Sequence, residues 1–389
     1  MNKTQTTQKN SGEKTRKAEW KRVRLTDLGE LNRGRSRHRP RNDSSLYGGE
    51  YPFIQTSDIK SANCYISEYS QTYNEKGLAQ SKLWEPDTLC ITIAANISES
   101  AILKIPACFP DSVVGFRSYE NVSGVRFVKY LLDLFKKDFQ SISSGAAQDN
   151  LSLEKMLSID FLVPEYKEQK KIAEVLSAYD DLIEVNQKKI KTLETLAQTL
   201  YKEWFVRPVK DGLPNGWEVK KVEDLIERVS VGKKYDNKTA LPIGNVPILD
   251  QGKSGVIGYH NDEPGINAST ENPVIVFANH TCYQNLIMFP FSAIQNVLPF
   301  YPSKENYRNI FWLHFATKDL IYFNDYKGHW PEFSAKKVYL PPVDLCEKFG
   351  EHVKEMMIEK YNLEKQNQNL QKTRDILIPQ LVGGRVEVK

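Results

Sequence analysis

Few residues of this chain stand at spacings that do chemistry by themselves. Gly252-Lys253-Ser254 ends like a phosphate loop, but G-x-x-x-x-G-K-[ST] requires glycine at 247, and Pro247 stands there. His280 and Cys282, two apart on a strand-to-loop segment, offer two metal ligands with no second pair at zinc-site spacing, so they read as a polar loop and no metal ligand is assigned. Asp58-Ile59-Lys60, and Asp344 with Glu347-Lys348, match fragments of a metal-dependent nuclease site, but such triplets are common in any charged chain. Pro341-Pro342 lies between Leu340 and Val343, without the Asn or Asp in front and the aromatic behind that an amino-methyltransferase sets against its target base. No glycine-rich strand-to-helix turn for a methyl donor and no nucleophile elbow is present. No catalytic residue is assigned, and the chain is not expected to be an enzyme by itself.

Binding chemistry is better represented. Arg33-Gly-Arg-Ser-Arg-His-Arg-Pro-Arg41 sets Arg33, Arg35, Arg37, Arg39 and Arg41 at every second position. Extended, the run would project all five guanidinium groups from one side, a spacing suited to phosphates or guanine edges, although a solvated loop has the same composition. A second basic segment runs from Arg228 through Gly232 to Lys233, Lys234 and Lys238. Ser143-Ser-Gly-Ala-Ala-Gln-Asp-Asn-Leu151, with Ser144 and Gln148, is a polar loop ahead of a long helix, and Lys327-Gly-His-Trp-Pro-Glu-Phe-Ser334, with Lys327 and His329, holds the equivalent place later. Lys82, Asn96, Lys253, Asn279 and His280 complete the candidate DNA-contacting set. Asn, Gln, His and Lys read base edges, and turns use them as often.

These segments are organised around two long helices. In residues 164–208 apolar side chains recur at alternating steps of four and three: Ile172, Leu176, Tyr179, Ile183, Asn186, Ile190, Leu193, Ala197, Leu200, Trp204. This heptad seam predicts a coiled-coil helix, and some 40 residues at about 1.5 Å each make a rod of roughly 60 Å. A shift of 177 positions carries Pro164 onto Pro341 and the seam onto Phe349, Val353, Met356, Lys360, Leu363, Asn367, Leu370, Arg374, Leu377 and Leu381. Ahead of the helices, Trp20, Leu25, Asp27 and Leu28 recur 197 residues on as Trp217, Val222, Asp224 and Leu225. Two copies of one unit are therefore expected, each a globular region followed by a helix.

In the first globular region, short strand-like runs at 51–54, 88–94, 101–105 and 113–116 precede a helical stretch at 125–139. The second repeats that order, with strands at 246–249, 256–259, 273–278 and 286–289 and a helical stretch at 310–323. The 389 residues and 40% hydrophobic content allow two or three domains with real cores. A net charge of +4 is too mild to name a nucleic-acid partner; only local clusters of basic residues can point to one. Five scattered cysteines with no C-x-x-C pair fit a reducing cytosol. Residues 1–18 are polar and expected to be disordered, and no apolar run is long enough to span a membrane.

Four motifs carry a family resemblance. Leu213-Pro-Asn-Gly-Trp217 with Val222-Glu-Asp-Leu225 resembles the opening of a target-recognition domain in DNA specificity (S) subunits of type I restriction-modification systems. Val163-Pro-Glu-Tyr-Lys-Glu-Gln-Lys-Lys-Ile172 and Leu200-Tyr-Lys-Glu-Trp-Phe-Val206 resemble the start and end of that family's conserved spacer helix, and Leu377-Ile-Pro-Gln-Leu-Val-Gly-Gly-Arg-Val-Glu-Val388 its C-terminus. The resemblance runs from about Trp20 to Val388. The second helix departs from it: Pro341-Pro-Val-Asp-Leu-Cys-Glu-Lys-Phe349 lacks the Glu-Gln pair of the first, and Lys360 and Arg374 interrupt its seam, leaving its start open.

The resemblance implies an α+β fold with an internal pseudo-twofold repeat: two mixed α/β target-recognition domains, each followed by a long helix, the helices forming an antiparallel coiled coil. The expected segments are a tail at 1–18, recognition domain 1 at 19–151, spacer helix 1 at 152–207, a linker at 208–216, recognition domain 2 at 217–333, and spacer helix 2 with the C-terminal tail at 334–389. Each domain would read half of a split, asymmetric site on double-stranded DNA while the helices act as a ruler, with Asn186 and Asn367 fixing register. Two methyltransferase (M) subunits and restriction (R) subunits would be the partners in a cytoplasmic host-defence complex. No cofactor is expected in this chain; S-adenosylmethionine, ATP and Mg would sit on the partners. Two other classes remain open: a coiled-coil scaffold that binds proteins and not DNA, which leaves the paired basic segments unexplained, and a single-chain enzyme, which would turn over with cofactor alone.

Overall fold

The computed structural model describes residues 20–94, 97–144, 153–252, 255–325 and 327–388. The chain divides into two compact units, residues 1–186 with 366–389, and residues 187–365. Both boundaries fall inside the long helices, so the first unit is built from two separate stretches of chain.

In chain order the first unit contains β1 (Lys21–Val23), α1 (Leu25–Leu28), β2 (Gly29–Arg33), β3 (Tyr47–Phe53), α2 (Thr56–Ser61), β4 (Tyr65–Ile66) and β5 (Gln71–Tyr73). It continues with α3 (Glu75–Ala79), β6 (Leu83–Trp84), β7 (Leu89–Thr92), β8 (Ser100–Leu103), β9 (Ala107–Cys108) and β10 (Val113–Ser118). Then come α4 (Val125–Ser144), α5 (Leu153–Leu157), β11 (Phe161–Val163) and the first long helix, α6 (Tyr166–Tyr201), which passes into the second unit at residue 187. The second unit contains β12 (Glu218–Lys221), α7 (Val222–Leu225), β13 (Ile226–Arg228), β14 (Val246–Leu249), β15 (Val256–His260) and β16 (Val274–Ala278). After these come β17 (Gln284–Ile287), β18 (Ser292–Ala293), β19 (Val297–Pro302), α8 (Ile310–Thr317), α9 (Trp330–Ala335), β20 (Lys337–Leu340) and α10 (Val343–Leu381), which returns to the first unit at residue 366.

The repeat seen in the sequence is present in the fold. The first unit has a five-stranded sheet in the order β2-β10-β7-β8-β4, the second a four-stranded sheet β13-β19-β16-β17. Central strands β7 and β16 are apolar at almost every residue and buried throughout, as a strand covered on both faces must be. In each unit a smaller sheet places one strand between an antiparallel and a parallel neighbour: β3 between β5 and β9, and β14 between β15 and β18. β1 pairs antiparallel with β11, and β12 with β20. The recurring aspartate has one job in both copies, since Asp27 Oδ2 accepts the Arg24 amide at 2.8 Å and Asp224 Oδ2 accepts the Lys221 amide at 3.1 Å. Each caps the first turn of a short helix.

Within each unit, part of α6 lies antiparallel to part of α10. In the first unit Asp180 meets Arg374, and further along α6 Asn186 meets Asn367 and Gln366. In the second unit Glu194 meets Lys360 at 3.2 Å, and the Phe205 and Phe349 rings are 5.1 Å apart. Every seam position is buried or half-buried. Asn186 Nδ2 donates to Asn367 Oδ1 at 2.8 Å, so the two polar seam residues satisfy each other. Lys360 sits between Glu194 and Glu364, and Arg374 reaches Asp180, which explains how charge is tolerated in the seam.

Several expectations are corrected. The second long helix begins at Val343; residues 334–342 hold the end of α9 and strand β20, and residues 152–165 hold α5 and β11. The helix expected over 310–323 stops at Thr317, because Lys318 turns extended and Asp319 takes a positive φ of 60°. Tyr322 and Phe323, left outside the helix, are 71% and 56% exposed. The tail at 1–18 and most of the loop at 143–151 lie outside the described residues.

Candidate nucleic-acid interface

The arginine segment keeps its alternation for only two steps past β2. The Gly34 amide donates to Val113 O at 2.8 Å and the Arg35 amide to Phe109 O at 3.0 Å, which holds the chain against β10. Gly34 and Ser36 turn inward, Arg33 and Arg37 face solvent, and Arg35 is half-buried. Beyond that the backbone bends, with the Arg37 and His38 amides both donating to Gln80 Oε1 at 2.6 and 3.0 Å. Arg39 Nη1 folds back onto Ser36 O and His38 O, and Arg41 Nη2 donates to both oxygens of Asp111 at 2.7 and 2.9 Å. Arg39 Nη2 lies 3.8 Å from the same carboxylate. The five guanidinium groups therefore do not project from one side: Arg39 and Arg41 converge on Asp111. The exposed Lys82 covers the ring of the buried Trp84 at 3.9 Å, a cation–π contact.

A groove of about 510 Å³ opens beside this segment, lined among others by Arg41, Asn42, Gln55 and Gln71. Gln55 Nε2 donates to Gln71 Oε1 at 2.6 Å, fixing both amides on the small sheet. In the second unit a groove of about 620 Å³ lies beside the second basic segment, lined by Lys234, Asn237, Asp250, Gln251 and Gln295 among others. Lys233 Nζ and Tyr235 OH both donate to Asp262 Oδ2, at 2.6 and 2.9 Å. The hydrogen bond from Lys233, then that from Tyr235, holds the Asp262 carboxyl below the usual range. Asp236 is lowered as well, first by the Thr239 hydroxyl and then by its amide. Lys234 and Lys238 stay exposed.

The fold brings together candidates that are 47 residues or more apart. His280 Nδ1 contacts Lys327 O at 2.9 Å, the His329 amide donates to Asn279 O at 2.8 Å, and the Trp330 amide to Asn279 Oδ1 at 2.8 Å. Asn279 thus anchors the 327–330 segment, while Lys327 is exposed. His329 is fully buried, with Nε2 on Asp325 O at 3.0 Å, so its ring does not reach the surface as a base reader must. Ser144 closes α4, and Asn96, Gln148 and Lys253 lie outside the described residues.

A family described as the type I restriction modification DNA specificity domain matches residues 17–195. The chain is 27% identical over 417 residues to the type I restriction enzyme MjaIX specificity subunit of Methanocaldococcus jannaschii, covering 95% of this chain and 94% of that one. It is 25% identical over 240 residues to the HindI specificity subunit of Haemophilus influenzae, covering 58% of this chain and 50% of the relative. Both comparisons indicate a type I restriction-modification specificity subunit. The chain's fold is that of an S subunit from M. genitalium, with a TM-score of 0.57 at 14% identity, covering 93% of this chain and 96% of that one.

The described residues supply hydrogen-bond donors and acceptors, and among them no group of three His, Cys, Asp or Glu residues is placed to hold a metal ion. All five cysteines are free thiols, and burial pushes Cys64 and Cys346 up to about 12, which leaves them unreactive as nucleophiles. No helix among the described residues is long and apolar enough to cross a membrane. Spacing alone did not reveal Gln55, Gln71, Asp111, Gln251 or Asp262. Asp111 lies 70 residues from its arginine and Asp262 lies 29 from its lysine, so no local pattern links them.

Proposed function

We propose that this chain is an S subunit that gives a type I restriction-modification complex its DNA specificity by reading a bipartite, asymmetric site. Each repeat reads one half-site on double-stranded DNA, and the paired helices set the unread gap between them. The observation that carries this proposal is one fold built twice with different surface side chains, each copy tied to part of the same antiparallel helix pair. One chain that reads two unlike half-sites needs two copies of one scaffold with divergent contacts. Two M subunits and the R subunits dock on it and supply the chemistry; S-adenosylmethionine, ATP and Mg belong to them, and this chain is non-catalytic.

The test is to co-express the chain with its cognate M subunit and sequence the host genome for methylated adenine. A new bipartite motif with a fixed gap is expected. A stable complex that leaves no new methylation would overturn DNA reading and favour a protein-binding scaffold.

A further inference from the structure

The two grooves are one construction made twice. In the first unit the walls come from the segment between β2 and β3 (Arg41, Asn42), the turn just after β3 (Gln55), the antiparallel strand β5 (Gln71), and the turn after β9 (Ser112). In the second unit they come from the segment between β13 and β14 (Lys234, Asn237), the turn just after β14 (Asp250, Gln251), the antiparallel strand β15 (Ile257), and the turn after β18 (Gln295). The parallel contacts that build the floor also correspond, Phe53 opposite Cys108 and Leu249 opposite Ala293. Gln55 and Gln251 each stand two residues past the end of the equivalent strand.

The backbones agree and the side chains do not. Among the described residues, the lining of the first groove carries an arginine and amides and no carboxylate, whereas that of the second carries Lys234 with Asp236 and Asp250. A surface built only to hold phosphates has no use for carboxylates, which repel them; carboxylates accept from the amino groups of cytosine, and amides pair with adenine. Asp111 grips Arg41 through Nη2 alone, a buttress that orients the guanidinium at the groove edge.

We infer that these matched grooves are where each unit reads base edges, with Gln55, Gln71 and Arg41 determining specificity in the first and Asn237, Gln251 and Lys234 in the second. This inference rests on the DNA-reading function proposed above. The first groove favours guanine or adenine, whose major-groove edges carry acceptors; the second accommodates an amino group.

The test uses the full chain with its M subunit and the methylated-adenine readout, comparing wild type with Gln71→Ala and Asn237→Ala. Gln71 and Asn237 are exposed, so folding is not at stake. Gln71→Ala should lower discrimination about tenfold at one base pair of one half-site, and Asn237→Ala at one base pair of the other, with the gap unchanged. If both variants keep the wild-type motif with full discrimination at every position, the inference falls while the DNA-reading function stands. A uniform loss of methylation with no position relaxed would assign the grooves to phosphate and also overturn it. Absence of any motif in the wild type would overturn the function and the inference together.

Discussion

Replacing Arg374 by Met should loosen the first unit by about 3–5 kcal/mol, the cost of stranding a buried charge. Asp180 is 1% exposed and accepts from Tyr130 OH at 2.6 Å and Asn63 Nδ2 at 2.9 Å, with Arg374 as its cation. Those donors come from α4 and from the loop before β4, while Asp180 and Arg374 come from the two long helices; this one carboxylate ties the globular part of the unit to both. Without the guanidinium, two neutral donors remain around a desolvated charge. Asp180→Asn together with Arg374→Met removes that charge and keeps an acceptor for Tyr130, so it should recover most of the loss. Hydrogen exchange on the full chain, read on peptides from α4 and the start of α6, isolates this unit; the single variant should exchange faster by about two to four orders of magnitude. A change of less than tenfold, or a double variant as loose as the single, would refute the coupling.

Three further outcomes follow from particular contacts. Asn186→Leu alone strands Asn367 in the seam and should cost about 1–3 kcal/mol by urea midpoint, whereas Asn186→Leu with Asn367→Leu should be more stable than either single change. His314 is held neutral by burial, with Lys318 and Lys360 adding to the effect, and its pKa drops to about 3 from the usual 6.5. Below pH 6.5 the unfolded chain takes a proton that the folded chain refuses, so this residue lowers stability by about 1.4 kcal/mol per pH unit between 6.5 and 3. His314→Gln should flatten that part of the pH–stability curve, and an unchanged slope would show that the ring titrates in the folded state. Neutralising the exposed Arg33 and Arg37 should reduce the slope of log affinity against log salt by about 2; an unchanged slope would place both away from phosphate.

The repeat, the seam and the order of the larger strands were legible because each depends on local periodicity or on a motif copied at a fixed offset. Asn186 and Asn367 stood out as polar interruptions of an apolar seam, and they meet. Lys360 and Arg374 were visible as charges but their partners were not, since Glu194 and Asp180 lie on the other helix and pairing across an antiparallel seam leaves no local trace. The arginine run misled for a related reason. Alternation predicts one-sided projection only while the chain stays extended, and here hydrogen bonds from the Arg37 and His38 amides to Gln80 Oε1 and an ion pair with Asp111 bend it after Arg37. His329 has the side chain of a base reader, but it is buried, with its amide on Asn279 O and its ring Nε2 on Asp325 O. The grooves were invisible because their walls come from four separated segments in each unit.

The role of the paired helices as a ruler is tested by removing one heptad from both at facing positions, residues 187–193 and 360–366, which preserves the seam and shortens the pair by about 10 Å. That is close to three base pairs at about 3.4 Å each. Methylated-adenine sequencing with the M subunit should show that the parent site, with its original gap, is no longer modified, and that any new motif keeps both half-sites with a gap about three base pairs shorter. Continued methylation of the parent site at its original gap by a stable complex would contradict the account.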